Sequence, residues 1–331
     1  MTGGRKIPSA EWLIPDSQWI ETERSRQQKF RFVAGVLLLL LPLCLLLNSD
    51  RRDESPDRTP QADKLAAVRF EAVALPSIGD GSGEIAGAWR VGVDDPRFGG
   101  VSALALSNGG LVAVTDSGVA VDLPRPGSGA TALLRDLPDG PGPERWKMYR
   151  DSESLAPSPR GWWVGFEFRH SLWLFDHGFE RAIGSISPRR FGWPRNRGVE
   201  AIVADGNGLL LLPEGGRRVI HLGEGGIRSA PLEGAGGQIA DAARAPDGSV
   251  LLLVRSVGLG GITNRVARLE RTASAYRAER LLTLPLGRFD NAEAIAAEPL
   301  LSGATRLWIM TDNDFSSWRD TVLIALDLPA N

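Results

Sequence analysis

The stretch Ser102–Asp116, SALALSNGGLVAVTD, decides the reading of this chain. It holds a hydroxyl residue, a short apolar strand, a Gly-containing turn, a second apolar strand and a closing carboxylate. Four later stretches repeat the pattern: ESLAPSPRGWWVGFE from Glu153, EAIVADGNGLLLLPE from Glu200, DAARAPDGSVLLLVR from Asp241 and EAIAAEPLLSGATRLWIMTD from Glu293. In the first four, the closing residue (Asp116, Glu167, Glu214, Arg255) falls 14 positions after the opening one; in the fifth, Asp312 falls 19 after Glu293. Starts separated by 51, 47, 41 and 52 residues mark a radially repeated β architecture.

The turns SNGG, SPRG, DGNG and PDGS place Gly or Pro where tight turns need them, so each stretch reads as a β-hairpin. Further strand-like text follows several of them, such as VARLERTAS and YRAERLLTLPL after the fourth. Four strands in a unit of about 45 residues is the make-up of a propeller blade. The fold class is therefore all-β, a β-propeller of five or six four-stranded blades. AAVRFEAVAL and GEIAGAWRVGV, upstream of Ser102, supply either a ring-closing strand or a partial sixth blade. Trp89, Trp162, Trp163, Trp173 and Trp308 suit packing between blades better than a ligand platform.

In an antiparallel hairpin the first residue of one strand lies beside the last residue of the next. Repetition around an axis then gathers Ser102 with Asp116, Glu153 with Glu167, Glu200 with Glu214, Asp241 with Arg255, and Glu293 with Asp312 on one face. This predicts eight carboxylates and one guanidinium at a channel mouth. Such crowding of like charge is costly unless a cation, arginines or shared protons offset it. Oxygen ligands in a flexible ring suit Ca²⁺ first and Mg²⁺ second. Arg150, Arg169, Arg195, Arg197, Arg217 and Arg319 lie near the template ends, beside Arg255. Metal with guanidinium forks can hold a phosphate or carboxylate; the same groups can instead pair with one another and lock adjacent blades. TDNDF, residues 311–315, reads either as oxygen ligands or as an Asx-rich turn.

Composition narrows the rest. The net charge of −2, with both signs mixed, gives no reason to expect nucleic acid. Cys44 is the only cysteine, which excludes an intrachain disulfide. No G-x-S-x-G or H-E-x-x-H occurs, and GLGGIT at 258–263 precedes no helix and so is no nucleotide cradle. Residues 32–47, FVAGVLLLLLPLCLLL, are apolar throughout, and Arg24, Arg26, Lys29 and Arg31 precede them. The expected organisation is a cytoplasmic polar tail over 1–29, a single-pass transmembrane signal anchor over 30–48 and a flexible linker over 49–64. An exported, periplasmic or extracytoplasmic propeller follows over 65–331. A cleaved signal peptide is the rival reading; the long basic region ahead of the apolar run argues against it.

At GGVSALAL with AVTDSG, DSESLA with WWVGFE, RGVEAIVA with LLLLPE, and DNAEAIAA with LWIMTDND and TVLIALDL, the chain resembles the phytase-like family (esterase-like activity of phytase) over about residues 66–328. The resemblance implies a β-propeller and, by analogy with β-propeller phytases, Ca²⁺-assisted hydrolysis of phosphomonoesters. The resemblance assigns no catalytic set and is carried over onto the template acids alone; with the arginines near them, the candidates are Glu153, Glu167, Glu200, Glu214, Arg255 and Arg169 for ligand binding, and Asp116, Glu200, Glu293 and Asp312 for metal. Ser102 and Arg255 stand where the repeat leads one to expect acids. The alternative is a non-catalytic propeller that binds a small molecule or protein at the same mouth.

Overall fold

Each template hairpin forms because its turn residues permit a tight reversal between two runs of apolar β-formers. In the first, Ser107 pairs with Gly110 across a two-residue Asn108–Gly109 loop, with Gly109 at φ 91°, the left-handed backbone such a turn requires. A computed structural model describes residues 59–79, 82–187, 198–215, 217–259, 261–287, 289–316 and 318–330. The expected tail, anchor and most of the linker, and Arg195 and Arg197, lie outside them. No helix among the described residues is long and apolar enough to cross a membrane.

The strands form five four-stranded antiparallel blades. Blade 1 contains Val101–Ser107, Gly110–Thr115, Val119–Pro124 and Thr131–Asp136; blade 2 contains Ser152–Ser158, Gly161–Phe166, Ser171–Phe175 and Ala182–Ile186. Blade 3 contains Val199–Asp205, Gly208–Pro213, Arg218–Gly223 and Gly226–Glu233; blade 4 contains Gln238–Arg244, Val250–Gly258, Gly261–Arg271 and Tyr276–Leu284. Blade 5 takes three strands from the C-terminus, Ala292–Pro299, Thr305–Thr311 and Val322–Leu328. Its fourth is an upstream strand, β2 (Glu84–Val93), which pairs with Val322–Leu328. The upstream text therefore closes the ring and starts no sixth blade. The preceding strand, β1 (Lys64–Ala72), joins β2 to the outer strand of blade 1.

The first strand of each blade lines the axis, and the innermost strands neighbour one another around the whole circle. The core is accordingly five apolar clusters, one per blade interface. Leu111, Val121 and Leu134 of blade 1 meet Ala294, Trp308 and Met310 of blade 5. Val112 and Val114 meet Leu155, Val164 and Phe166 of blade 2. Corresponding clusters join blades 2 and 3, 3 and 4, and 4 and 5. Each large side chain so buried contributes about 1.5–3 kcal/mol. Trp162 and Trp308 are buried in this packing, Trp89 lies 6.4 Å from Trp308 between ring centroids, and Trp163 and Trp173 are half-buried.

Where the chain enters this ring it is clamped. Arg97 is buried between Asp95 (3.1 Å) and Asp136 (3.1 Å), while Asp136 accepts the Gln61 backbone N–H (2.9 Å) and Lys64 reaches Asp95 (3.3 Å). Burial alone would raise the Asp95 carboxyl, but the hydrogen bonds and charge of Arg97 outweigh it and hold the carboxyl at about 2. A folded-state value below the unfolded one stabilises the fold above about pH 4 and ceases to as pH falls toward 2. Replacing Arg97 by Met strands two buried carboxylates and should cost about 3–5 kcal/mol. Urea unfolding at pH 7 measures this, and a loss under 1 kcal/mol would refute the clamp.

Candidate functional site

Every innermost strand carries a β-bulge at the same end, between Val101 and Ala103, Ser152 and Ser154, Val199 and Ala201, Ile239 and Asp241, and Ala292 and Ala294. The extra residues are Ser102, Glu153, Glu200, Ala240 and Glu293. A bulge breaks strict in-out alternation and re-aims the side chain it inserts. Beside it, the residue after the partner strand donates its N–H back across the blade: Asp116 to Gly100 O (2.7 Å), Glu167 to Asp151 O (2.9 Å), Glu214 to Gly198 O (3.1 Å) and Asp312 to Asn291 O (2.8 Å). This repeated bond holds the two template positions side by side. Gly100, at φ 58°, is needed here, because a Cβ would overlap the Asp116 carboxylate and the Phe315 ring.

The mouth so built gathers Asp116, Glu153, Glu167, Glu200, Glu214, Glu293 and Asp312 with Arg255. Asp151 belongs with them: oxygens of Asp151, Glu153 and Glu167 lie within 4.8 Å of one another. Burial first, then the charges of Glu167 and Asp116, push the Asp151 carboxyl up to about 8. Burial, followed by repulsion from Asp151 and Glu200, puts Glu153 well above its ordinary value; burial, Glu214 and Glu293 do the same for Glu200. Burial lifts Glu293 to about 7 against the opposing pull of Arg255, and burial with Asp314 lifts Asp312 to about 8. Asp151, Glu153, Glu200 and Glu293 are half-buried and still touch the water of the mouth, which moderates the repulsion without removing it, whereas Asp312 is buried. Among the described residues, Glu214 Oε2 is buried and has no hydrogen-bond partner.

Among the described residues, two cations enter the ring. Arg255 pairs with Glu293 and donates to Asn291 Oδ1 at 2.7 Å, bridging blades 4 and 5; Lys147, before blade 2, holds Asp116 at 3.0 Å. Four other arginines near the template ends lie among the described residues, and the contacts seen for them are with groups other than the template acids. Arg150 is buried and donates to the carbonyls of Leu137, Gly142 and Tyr149. Arg169 lies 4.6 Å over the Tyr149 ring and bonds its hydroxyl at 2.6 Å. Arg319 pairs with Asp314 (2.5 Å), and Arg217 is exposed. In TDNDF, Asn313 Oδ1 accepts the Phe315 N–H (3.1 Å) as in an Asx turn, and Asp312 Oδ1 accepts the Val101 N–H (3.0 Å), tying blade 5 to blade 1.

Asp241 is the correction. In blade 4, Ile239 pairs with Val254, fifteen residues on, where Val101 pairs with Thr115, fourteen on. The longer hairpin puts Ala240 at the bulge and moves Asp241 one step inward, off the rim. Fully buried there, it accepts N–H bonds from Ala242 (2.8 Å) and from Ile295 of blade 5 (2.8 Å), and a further one from Leu104 of blade 1. One carboxylate thus bridges three inner strands across the axis. Asp151 was missed because it precedes the template proper; the carboxylate pair in DSES was its signal.

These features define a five-bladed β-propeller with an acidic channel mouth. The chain belongs to the phytase-like family, described as esterase-like activity of phytase, which matches over residues 96–315. No curated protein matches the sequence. Among solved structures, glutaminyl cyclase of Myxococcus xanthus is similar at 13% identity and TM-score 0.47, over 80% of this chain and 99% of that one. Virginiamycin B lyase of Staphylococcus aureus is similar at 10% identity and TM-score 0.39, over 79% and 100%. Hydrazine synthase of Kuenenia stuttgartiensis is similar at 12% identity and TM-score 0.36; the overlap is 69% of this chain and 63% of that one.

Raised carboxyl values set a pH dependence. A group whose folded-state value exceeds its unfolded one stabilises below about pH 4 and loses that contribution as pH rises through the folded value. With chelator present, thermal melts should therefore show the midpoint falling between about pH 5 and pH 9, through the values of about 7 and 8 at Glu293, Asp151 and Asp312. A midpoint flat over that range would show that the ring is not repulsive.

Proposed function

We propose that the mouth binds a divalent cation, Ca²⁺, and that the loaded site hydrolyses phosphate monoesters. The observation that carries this reading is the Asp151–Glu153–Glu167 cluster, with oxygens within 4.8 Å of one another and close to Glu214, whose Oε2 has no hydrogen-bond partner among the described residues. An all-oxygen, carboxylate-rich donor set fits a hard cation, and bound charge would offset the burial and mutual repulsion that raise these carboxyls. Once bound, Ca²⁺ would supply Lewis acidity toward a phosphoryl oxygen and a more acidic water. The remaining groups serve binding and orientation. Arg255, fixed by Asn291 and Glu293, presents a guanidinium fork to a phosphate at the rim, and Lys147 presents a second positive charge across the mouth. Glu200 and Glu214 extend the negative wall beside the cluster and steer a cation toward it.

A non-catalytic reading draws support from one observation. Arg255 already joins Glu293 across the boundary of blades 4 and 5, as an interblade lock or a ligand-binding propeller would have it. Calcium melts and turnover of a generic phosphomonoester separate the two. Catalysis requires a calcium-dependent rise in melting temperature together with turnover; a rise without turnover leaves binding alone. Glu153→Gln should weaken calcium at least tenfold, about 1.4 kcal/mol, and abolish turnover. Equal destabilisation with calcium and with chelator would instead make Glu153 a structural acid.

The reading includes an anchored protein. The apolar run 32–47, preceded by four basic residues, supports a single-pass signal anchor with an exported propeller. Intact mass of the membrane-extracted protein should match a chain that keeps this segment, and a mature start near residue 49 would refute it.

A further inference from the structure

We infer that the mouth-bearing face of the propeller docks onto a lipid bilayer surface. Two independent observations converge on this face. The first is apolar exposure at its loop tips. The hairpin that rises past Arg255 ends in Val257 (78% exposed) and Leu259 (113%), and the loop that follows Asp312 carries Trp318 (77%) and the part-exposed Phe315. Met148, in the connection from blade 1 to blade 2, adds a fifth large apolar side chain on the same rim. Of the remaining exposed large apolar side chains among the described residues, Leu301 and Ile227 sit at separate hairpin turns of the opposite face, while Leu65 and Ile186 lie on outer strands, Ile186 beside Ile227 in one cavity. Exposed aliphatic side chains surrounding a site mark an interaction surface, and this set has the chemistry of a bilayer interface. Arg319 stacks 4.7 Å over the Trp318 ring, so an amphipathic ring and a cation present themselves together at one tip, as side chains at headgroup depth do.

The second observation is where the described chain begins. β1 runs antiparallel to β2, and β2 leads upward into the innermost strand of blade 1, so Lys64 starts at the mouth rim. The clamp fixes this: Gln61 N–H bonds Asp136, and Lys64 pairs with Asp95, on the connections that cross that face. Residues 48–58 separate this point from the apolar run 32–47. Fully extended, they reach about 35–40 Å, and as a flexible chain they average roughly 18 Å. A tether leaving the opposite face would have to climb the side of a blade first. For this second observation the inference rests on the anchor reading above; the apolar tips do not depend on it. The tips insert by their apolar area, so docking needs no acidic lipid.

The full chain, with Cys44→Ser, is reconstituted into phosphatidylcholine vesicles carrying a nitroxide lipid, and a single cysteine bears an environment-sensitive fluorophore. The label sits at Leu259→Cys, at Trp318→Cys or, on the opposite face, at Asn207→Cys. Docking requires quenching and a blue shift at positions 259 and 318, several-fold stronger than at 207 and unaltered by salt. Adding Val257→Asp with Leu259→Asp should abolish quenching at 318 while leaving the melting temperature and co-flotation with vesicles unchanged. A protein that floats with vesicles but shows equal, weak quenching at all three positions would overturn docking and leave the anchor intact. A protein that does not float at all would overturn both.

Discussion

One inserted residue at the start of each innermost strand sets everything that follows. A regular strand would send successive side chains alternately into one blade interface and the next, leaving none aimed along the axis. The bulge breaks that alternation at the rim and turns Glu153, Glu200 and Glu293 onto the mouth, while the strand below returns to apolar packing with Leu155, Ile202 and Ile295 buried. The backbone bond from Asp116, Glu167, Glu214 or Asp312 to the residue two before the bulge then fixes the second position beside the first. The charge density of the mouth is thus produced by backbone geometry repeated around the ring.

That repetition forces a charge problem which each blade meets differently. Blade 4 contributes Arg255, not an acid, and puts Ala240 at its bulge, which makes it the positive sector of the mouth. Its own acid is displaced inward, where Asp241 ties three inner strands through backbone N–H groups. Blade 1 has Ser102 at the bulge, its hydroxyl turned to Gly100 O at 3.2 Å, with Lys147 against Asp116. In blades 2 and 3, Lys147 and Arg255 act on Asp151 and Glu200 through charge, and burial with the neighbouring acids outweighs them. The densest acid among the described residues, from Asp151 to Glu214, therefore accumulates on one side of the mouth, where a cation would gain most.

The hairpins, their equivalence and the polar rim were legible in the sequence because turn chemistry and the spacing of 14 are local. Ring closure by β2 was only half legible, since strand text upstream of Ser102 fits a closing strand and a sixth blade equally well until pairing with Val322–Leu328 decides it. The misplacement of Asp241 has the same origin. Counting fixed offsets cannot separate one extra residue in a turn from one extra residue in a strand, and the two lead to opposite destinations for the side chain. The arginines were least legible: Arg150 and Arg169 lie as near the template ends as Arg255, yet their partners are carbonyls and a tyrosine set by loop conformation.

The clamp and the mouth share one face and respond to pH in opposite senses. At the clamp, Arg97 holds Asp95 ionised down to about pH 2, so its contribution grows as pH rises toward 4 and is constant thereafter. At the mouth, carboxyls with values of about 7 and 8 oppose folding as they ionise, so their penalty begins where the gain from the clamp has levelled off. Without a cation the fold is then most stable in mildly acid conditions and weakens toward neutrality. A divalent ion bound as proposed would remove the upper penalty and leave the lower limit untouched, because no clamp residue belongs to the ring. Cation occupancy would therefore widen the stable range from one side only, which would distinguish a filled mouth from general screening by salt, since screening acts on both networks.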